Sequence, residues 1–282
     1  MNHVIGGSPD EREHVLSGTG ALLHVWVGGP ERGPAVVFTH GAGTDHRMFD
    51  RQVEAVQQAG FRSVRWDVAG HGSSRPLTGP FSVRSAARDL TRVLDHLGLE
   101  RVALVGQSMG GNIAQDVVLD DPSRSWVLVA IGSTCHTLPI PRRQVWLLRV
   151  SHLLLAAWPY RGLRRSMVRV SAVTPEAQHY LTEVFADLTR AEFLRVWGGM
   201  TRSLDPRPGY RSSVPHLLLL GERDRTGNIR VAMRRWAERE HAELHVLPGA
   251  GHVANLDRPE EVNRLMIDFL RRHAGREGTG ER

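Results

Sequence analysis

A serine flanked two residues either side by glycine, Gly106-Gln107-Ser108-Met109-Gly110, is the stretch with the clearest chemical potential. The apolar run Val102 to Val105 before it reads as a buried strand, and Met109, Ile113 and Val117 after it fall on one face of a helix. A strand-to-helix turn this tight leaves no room for side chains at 106 and 110, so glycine is needed at both. Such a turn pushes the Ser108 hydroxyl off the end of the sheet. It also aims the Met109 backbone N–H and the positive end of the helix at an oxyanion forming beside it. A serine here could equally cap the helix, so the nucleophile reading needs a base, an acid and a second oxyanion donor from elsewhere.

A serine hydroxyl becomes a useful nucleophile when an imidazole takes its proton, and the imidazole needs a carboxylate to fix its tautomer. In doubly wound sheets ligands bind at the carboxyl ends of the strands, so both groups should follow strands directly. His252 does so, in Pro248-Gly-Ala-Gly-His-Val, and the acid is Asp224 or Glu222, in Gly221-Glu-Arg-Asp.

The elements that would carry these groups alternate regularly. Strand-like runs occupy residues 14–27 (a hairpin about Ser17-Gly18-Thr19-Gly20), 34–39, 61–66, 102–105, 126–131, 216–220 and 243–247. Helical patterns cover 45–58, 82–97, the stretch after the serine to about Asp121, 228–240 and 259–273. This alternation predicts one α/β core with a doubly wound, mostly parallel eight-stranded sheet. Between His136 and about Tyr210 only helical stretches appear, at 144–158, 175–186 and 189–200, so a helical insertion should follow the sixth strand. The expected division is a core of residues 1–134 and 211–282 and an insertion of 135–210. Trp146, Trp158 and Trp197, at helical positions, read as the insertion's own core.

Composition bounds the function. The chain has 282 residues, 41% of them hydrophobic, enough for a large core with an insertion. Its single cysteine, Cys135, excludes an internal disulfide framework and a cysteine-rich zinc site. With no apolar leader in Met1 to His14, a cytoplasmic enzyme is expected. The net charge of +6 rests wholly on arginine, scattered among acids, and argues weakly for nucleic acid. Arg161, Arg164, Arg165 and Arg169 lie at helical spacing and read as a solvated face. The stretch 145–160 is apolar but too short to span a bilayer.

Taken together, Ser108, the acid after one late strand and His252 after the next resemble the α/β-hydrolase fold family, in the group that bears a helical cap. The resemblance covers nearly the whole chain and follows the family's order of nucleophile, acid and histidine. It implies Ser108 as nucleophile, Asp224 in preference to Glu222 as the acid, and His252 as general base. It also implies that His40-Gly41-Ala42 is the oxyanion segment, with the Ala42 N–H joining that of Met109, and that Asp67 with Gly70-His71-Gly72 is a structural loop. His40 and His71, in glycine-flanked turns, are expected to pack rather than to act as bases. The activity implied is hydrolysis of an ester, lactone or thioester with no metal or organic cofactor, on a small substrate with a largely apolar part. The protein would be a monomer or homodimer without membrane or nucleic-acid partners.

Other chemistries share the fold. Carbon–carbon bond hydrolases of ring-cleavage dienones show a similar H-G-x-G segment and G-x-S-M-G-G elbow. Cofactor-free perhydrolases are also similar but usually carry an aromatic residue where Ala42 stands. A slow-turnover ligand receptor on a hydrolase scaffold is the alternative of a different class. Arginines 142, 143, 149 and 169 are the candidates to meet an anionic substrate group.

Overall fold

The computed structural model describes residues 11–139, 150–151 and 155–274. Eight strands form one sheet in the order β1-β2-β4-β3-β5-β6-β7-β8. They are β1 (Arg12–Ser17), β2 (Leu22–Gly28), β3 (Ala35–Thr39), β4 (Arg62–Trp66), β5 (Val102–Gln107), β6 (Ser125–Ile131), β7 (His216–Gly221) and β8 (Glu243–Leu247). β1 pairs antiparallel with β2, and β2 with β4. Every later pairing is parallel. The central strands β3, β5, β6 and β7 are buried along their whole length, which is why they read as unbroken apolar runs rather than alternating ones.

Successive residues of these strands face opposite layers. Leu104, Leu128 and Leu218 pack with Leu90, Leu94, Ile113, Val117, Met233 and Trp236. Those partners come from helices α2 (Val83–His96) and α3 (Met109–Asp120), and from the helix that follows β7 and spans Ile229–Glu240. Their neighbours Val105, Val129 and Leu219 pack on the other side with Val53, Val56, Met266 and Phe269. These come from α1 (Asp50–Gln58) and from the last helix, Pro259–Ala274. The expected helix over 45–58 begins as a 3₁₀ turn, His46–Phe49, because the Asp45 side chain caps Arg47 N–H and tightens the entry. Ser82 opens α2 through a capping box with Ser85.

Between β6 and β7 the chain forms α4 (Tyr160–Ser171), α5 (Pro175–Asp187) and α6 (Arg190–Thr201). The expected helix over 144–158 falls largely outside the described residues. Helix α4 was visible in the sequence only as the spacing of its arginines. Arg161, Arg165 and Arg169 are exposed, as a solvated face requires, while Arg164 turns in and donates to the carbonyls of Phe185 and Ala186, each at 2.8 Å. After β7 come α7 (Ile229–Glu240), β8, the short α8 (Ala254–Asp257) and α9 (Pro259–Ala274). Among the described residues no helix is long and apolar enough to cross a membrane.

Candidate active site

Ser108 stands between β5 and α3 with φ +50° and ψ −111°. A non-glycine residue there costs on the order of 1–3 kcal/mol and persists only when its surroundings fix it. They do so from both sides of the residue. Its N–H donates to Ile131 O at 2.9 Å, and its carbonyl accepts from Gly111 N at 3.0 Å and Ser133 Oγ at 2.8 Å. The flanking glycines are demanded sterically. A Cβ at Gly106 would lie 2.3 Å from the Gly110 carbonyl carbon, and one at Gly110 would lie 1.9 Å from Thr39 O.

β7 and β8 bring the other two groups together. Their ends approach so closely that a Cβ on Gly221 would lie 1.9 Å from Gly251 O. His252 Nδ1 is 2.9 Å from Asp224 Oδ2, and both side chains are buried. The second carboxylate oxygen, Oδ1, accepts from Thr226 N at 2.8 Å. A carboxylate at Nδ1 holds the proton on that nitrogen and leaves Nε2 with its lone pair. Glu222 is exposed and accepts instead from Gly249 N at 2.9 Å, so Asp224 is the acid that meets the histidine.

The segment after β3 is shaped by its own hydrogen bonds. Val68 N–H donates to His40 Nε2 at 3.0 Å, so the His40 proton is on Nδ1 and is donated to Gly41 O at 2.8 Å. Thr44 Oγ1 donates to the same carbonyl at 2.9 Å. Because a peptide is planar and trans, fixing the Gly41 carbonyl on that side turns the Ala42 N–H the opposite way. Among the described residues neither the Ala42 nor the Met109 amide N–H has a hydrogen-bond acceptor. His40 is wholly buried, and burial pushes its imidazole below the usual value, against the pull of Asp67. Burial also pushes His71 down, to about 3. Both are packed neutral rings, as their turns suggested. Asp67 accepts from His46 N and Ser73 N, each at 2.7 Å, and ties its glycine-rich loop together.

Two cavities meet at Ser108. One, of about 250 Å³, is bounded by Ala42, Leu163, Phe185, Phe193, Trp197 and His252 among others. The other, of about 200 Å³, lies toward Asn112, Cys135, Leu138, Ile229 and Arg235. Trp197 and Met200 line both. Trp197 packs with Phe193 as expected of a core residue and also forms a wall of both cavities, Trp158 is 48% exposed, and Trp146 lies outside the described residues. Of the arginines expected to meet an anionic substrate group, only Arg169 lies among the described residues, and 142, 143 and 149 lie outside them. Arg169 is on the surface, and among the described residues the arginines that line the two cavities are Arg225 and Arg235, which follow β7.

Three supporting residues carried no signal in the sequence. Gln107 Nε2 donates to His252 O at 3.2 Å. Gly132, at φ +53°, lies against His252, where a Cβ would come within 3.1 Å of Nδ1. Asp257 accepts from Gly251 N at 2.8 Å and from Thr174 N at 2.8 Å, tying the His252 loop to the start of α5. Among the described residues no three His, Cys, Asp or Glu side chains are grouped to hold a metal ion.

A mostly parallel sheet of this order, with a strained serine at the centre and a buried acid–histidine pair at neighbouring strand ends, defines an α/β enzyme of the hydrolase type. The chain belongs to the alpha/beta hydrolase family, whose model matches residues 36–265. A relative from Burkholderia vietnamiensis, a 2-hydroxy-6-oxononadienedioate/2-hydroxy-6-oxononatrienedioate hydrolase, is 32% identical over 259 residues, covering 84% of this chain and 87% of its own. Among solved structures, the enol-lactonase from Burkholderia xenovorans is similar with a TM-score of 0.78 at 22% identity, over 92% of this chain and 100% of its own. A thermophilic esterase from Thermogutta terrifontis gives a TM-score of 0.76 at 21% identity, over 93% and 99%. At these identities the two structures speak to the fold.

Proposed function

We propose that the protein is a serine hydrolase that cleaves a carboxylic ester, lactone or thioester through an acyl-enzyme on Ser108. The observation that carries this reading is the 2.9 Å contact from Asp224 to His252 beside a serine held at φ +50°, with serine and histidine lining one cavity. In this mechanism His252 Nε2 takes the hydroxyl proton as Oγ attacks the carbonyl carbon. Asp224 stabilises the imidazolium that results. The tetrahedral oxyanion is held by the unengaged N–H groups of Ala42 and Met109, each worth about 3 kcal/mol of barrier in comparable sites. His252 then protonates the leaving group, and water, deprotonated by the same nitrogen, releases the acid. No metal or organic cofactor enters these steps.

In this reading residues 135–210 act as a cap over a core of 1–134 and 211–282. The wall of Leu163, Phe185 and Phe193 supports a substrate with a largely apolar part. The single cysteine, buried and free, is in keeping with work in the cytoplasm.

The test is hydrolysis of p-nitrophenyl esters of graded acyl length by the wild type and by Ser108→Ala, with folding followed by circular dichroism. The expected loss in the variant is about 10⁴-fold or more in kcat. A Ser108→Ala protein that keeps its activity, or a folded wild type that a fluorophosphonate does not label, would refute the assignment.

A second reading, carbon–carbon bond hydrolysis, is favoured by the relative at 32% identity, whose name gives an oxo-dienedioate as its substrate. Here the same residues would act on a ketone of a ring-cleavage dienone. Turnover of such a dienone faster than any ester would select it.

A further inference from the structure

The cavity on the Asn112 side of Ser108 has polar features that the hydrolytic steps above do not use. Much of its wall is apolar, with Leu138, Met200, Ile229 and Ala232. Against this background stand His136 and Arg235. His136 is 1% exposed, and its Nδ1 has no hydrogen-bond partner among the described residues. Its Nε2 lies 3.1 Å from Asp116 Oδ1 but without the alignment of a hydrogen bond. Both ring nitrogens are closed off from the cavity, so His136 with Asp116 forms part of its wall and leaves Arg235 as the polar group a ligand can reach. Arg235 is exposed on α7 and has no carboxylate partner among the described residues, so its guanidinium is free to take one.

We propose that this second cavity is an acid subsite. It receives a limb of the substrate that ends in a carboxylate, with the charge paired to Arg235. The apolar wall fixes the limb's carbon chain, and the other cavity takes the remainder of the molecule on the far side of the scissile carbonyl. The inference rests on Ser108 being the reacting residue, since that residue joins the two cavities. It narrows the substrate class from apolar esters to compounds that are acids at one end.

The experiment uses two matched pairs of substrates. Mono-p-nitrophenyl adipate against p-nitrophenyl hexanoate places the carboxylate on the acyl side, and 4-acetoxybutyrate against butyl acetate places it on the alcohol side. In one pair the wild type should favour the acid in kcat/KM by about 10-fold or more, the size of a charge-assisted hydrogen bond. Arg235→Gln should abolish that preference, with melting temperature as the check on folding. Binding of the same compounds to the Ser108→Ala protein, by calorimetry, should show the same ratio without any turnover. An equal response to acid and neutral members in both pairs overturns the subsite, as does an acid preference that survives Arg235→Gln. If the wild type hydrolyses none of the four compounds while the Ser108→Ala protein still prefers the acid, the esterase reading fails and the subsite stands.

Discussion

Replacing Gly132 by alanine tests whether the position of His252 governs activity, because this glycine is the backbone against which the histidine rests. Two effects follow from the structure. At φ +53° an L residue loses about 1–2 kcal/mol relative to glycine. The new Cβ would also lie 2.7 Å from His252 O and 3.1 Å from its Nδ1, where ordinary contact begins at 3.4 Å. The His252 carbonyl must therefore retreat by about 0.7 Å (3.4 − 2.7), carrying the ring with it. Overpacking of this kind adds about 1–3 kcal/mol. Displacement of a catalytic group by about 1 Å can cost about 100-fold in rate, so kcat/KM should fall about 10- to 100-fold. Gly98→Ala is the matched control. Gly98 has φ +63° with open space where a Cβ would go, so it bears the backbone cost alone and should leave activity intact. Urea unfolding gives the two stabilities, and ester hydrolysis at a temperature where both variants are folded gives the two rates. If Gly132→Ala is as active as Gly98→Ala, the position of His252 does not govern the reaction and the role given to it is wrong.

Two more perturbations probe the surroundings of the site. Asp257→Asn places an amide against the N–H groups of Gly251, Val173 and Thr174 that the carboxylate now accepts from, and should cost about 2–3 kcal/mol. Activity should fall as well, because Gly251 precedes His252; an unchanged urea midpoint and rate would show that the tie is idle. Acid should destabilise the protein through His71 and His216, whose imidazoles burial pushes from 6.5 to about 3 and about 4. The unfolded chain binds protons at both rings below about 6.5 while the folded one does not, so their contribution is full above that pH and is lost as pH falls toward 4 and 3. At pH 5 the loss is about 2 kcal/mol for each ring. Urea unfolding at pH 7 and pH 5 measures it, and His216→Leu should halve the drop; a midpoint that does not move between the two pH values would contradict it.

What could be read from the sequence is what local chemistry dictates. The buried strands were legible because burial on both faces forces continuous apolar runs, as in Val102 to Val105 and Trp126 to Ile131. The serine turn was legible because its glycines are required within five residues of one another. Asp224 and His252 could be placed because strand ends are where such sheets put their ligands. The choice of Asp224 over Glu222 needed the resemblance, since the two stand only two residues apart. In space they are separated cleanly: one carboxylate meets His252 and the other caps Gly249.

The supports of the site left no such trace, because each acts across the fold and not along the chain. Gly132 is one of 29 glycines, and its contact with His252 exists only once β6 and the loop after β8 lie side by side. Asp257 stands in Asn-Leu-Asp-Arg-Pro with nothing in the local sequence to single it out, and it is 5% exposed and joins that loop to α5. The arginines show the same limit. Those between β6 and β7 looked best placed to meet an anionic substrate, but the exposed ones of α4 face solvent, and among the described residues the two that line the cavities follow β7. Arg225 and Arg235 are carried there by the loop and helix that also deliver Asp224. In the proposed reading, charge for recognition and charge for catalysis therefore come from one segment of the chain. In that arrangement a change in the helices between β6 and β7 can reshape the apolar wall of Phe185, Phe193 and Trp197 without removing either arginine, so substrate size and substrate charge can vary independently.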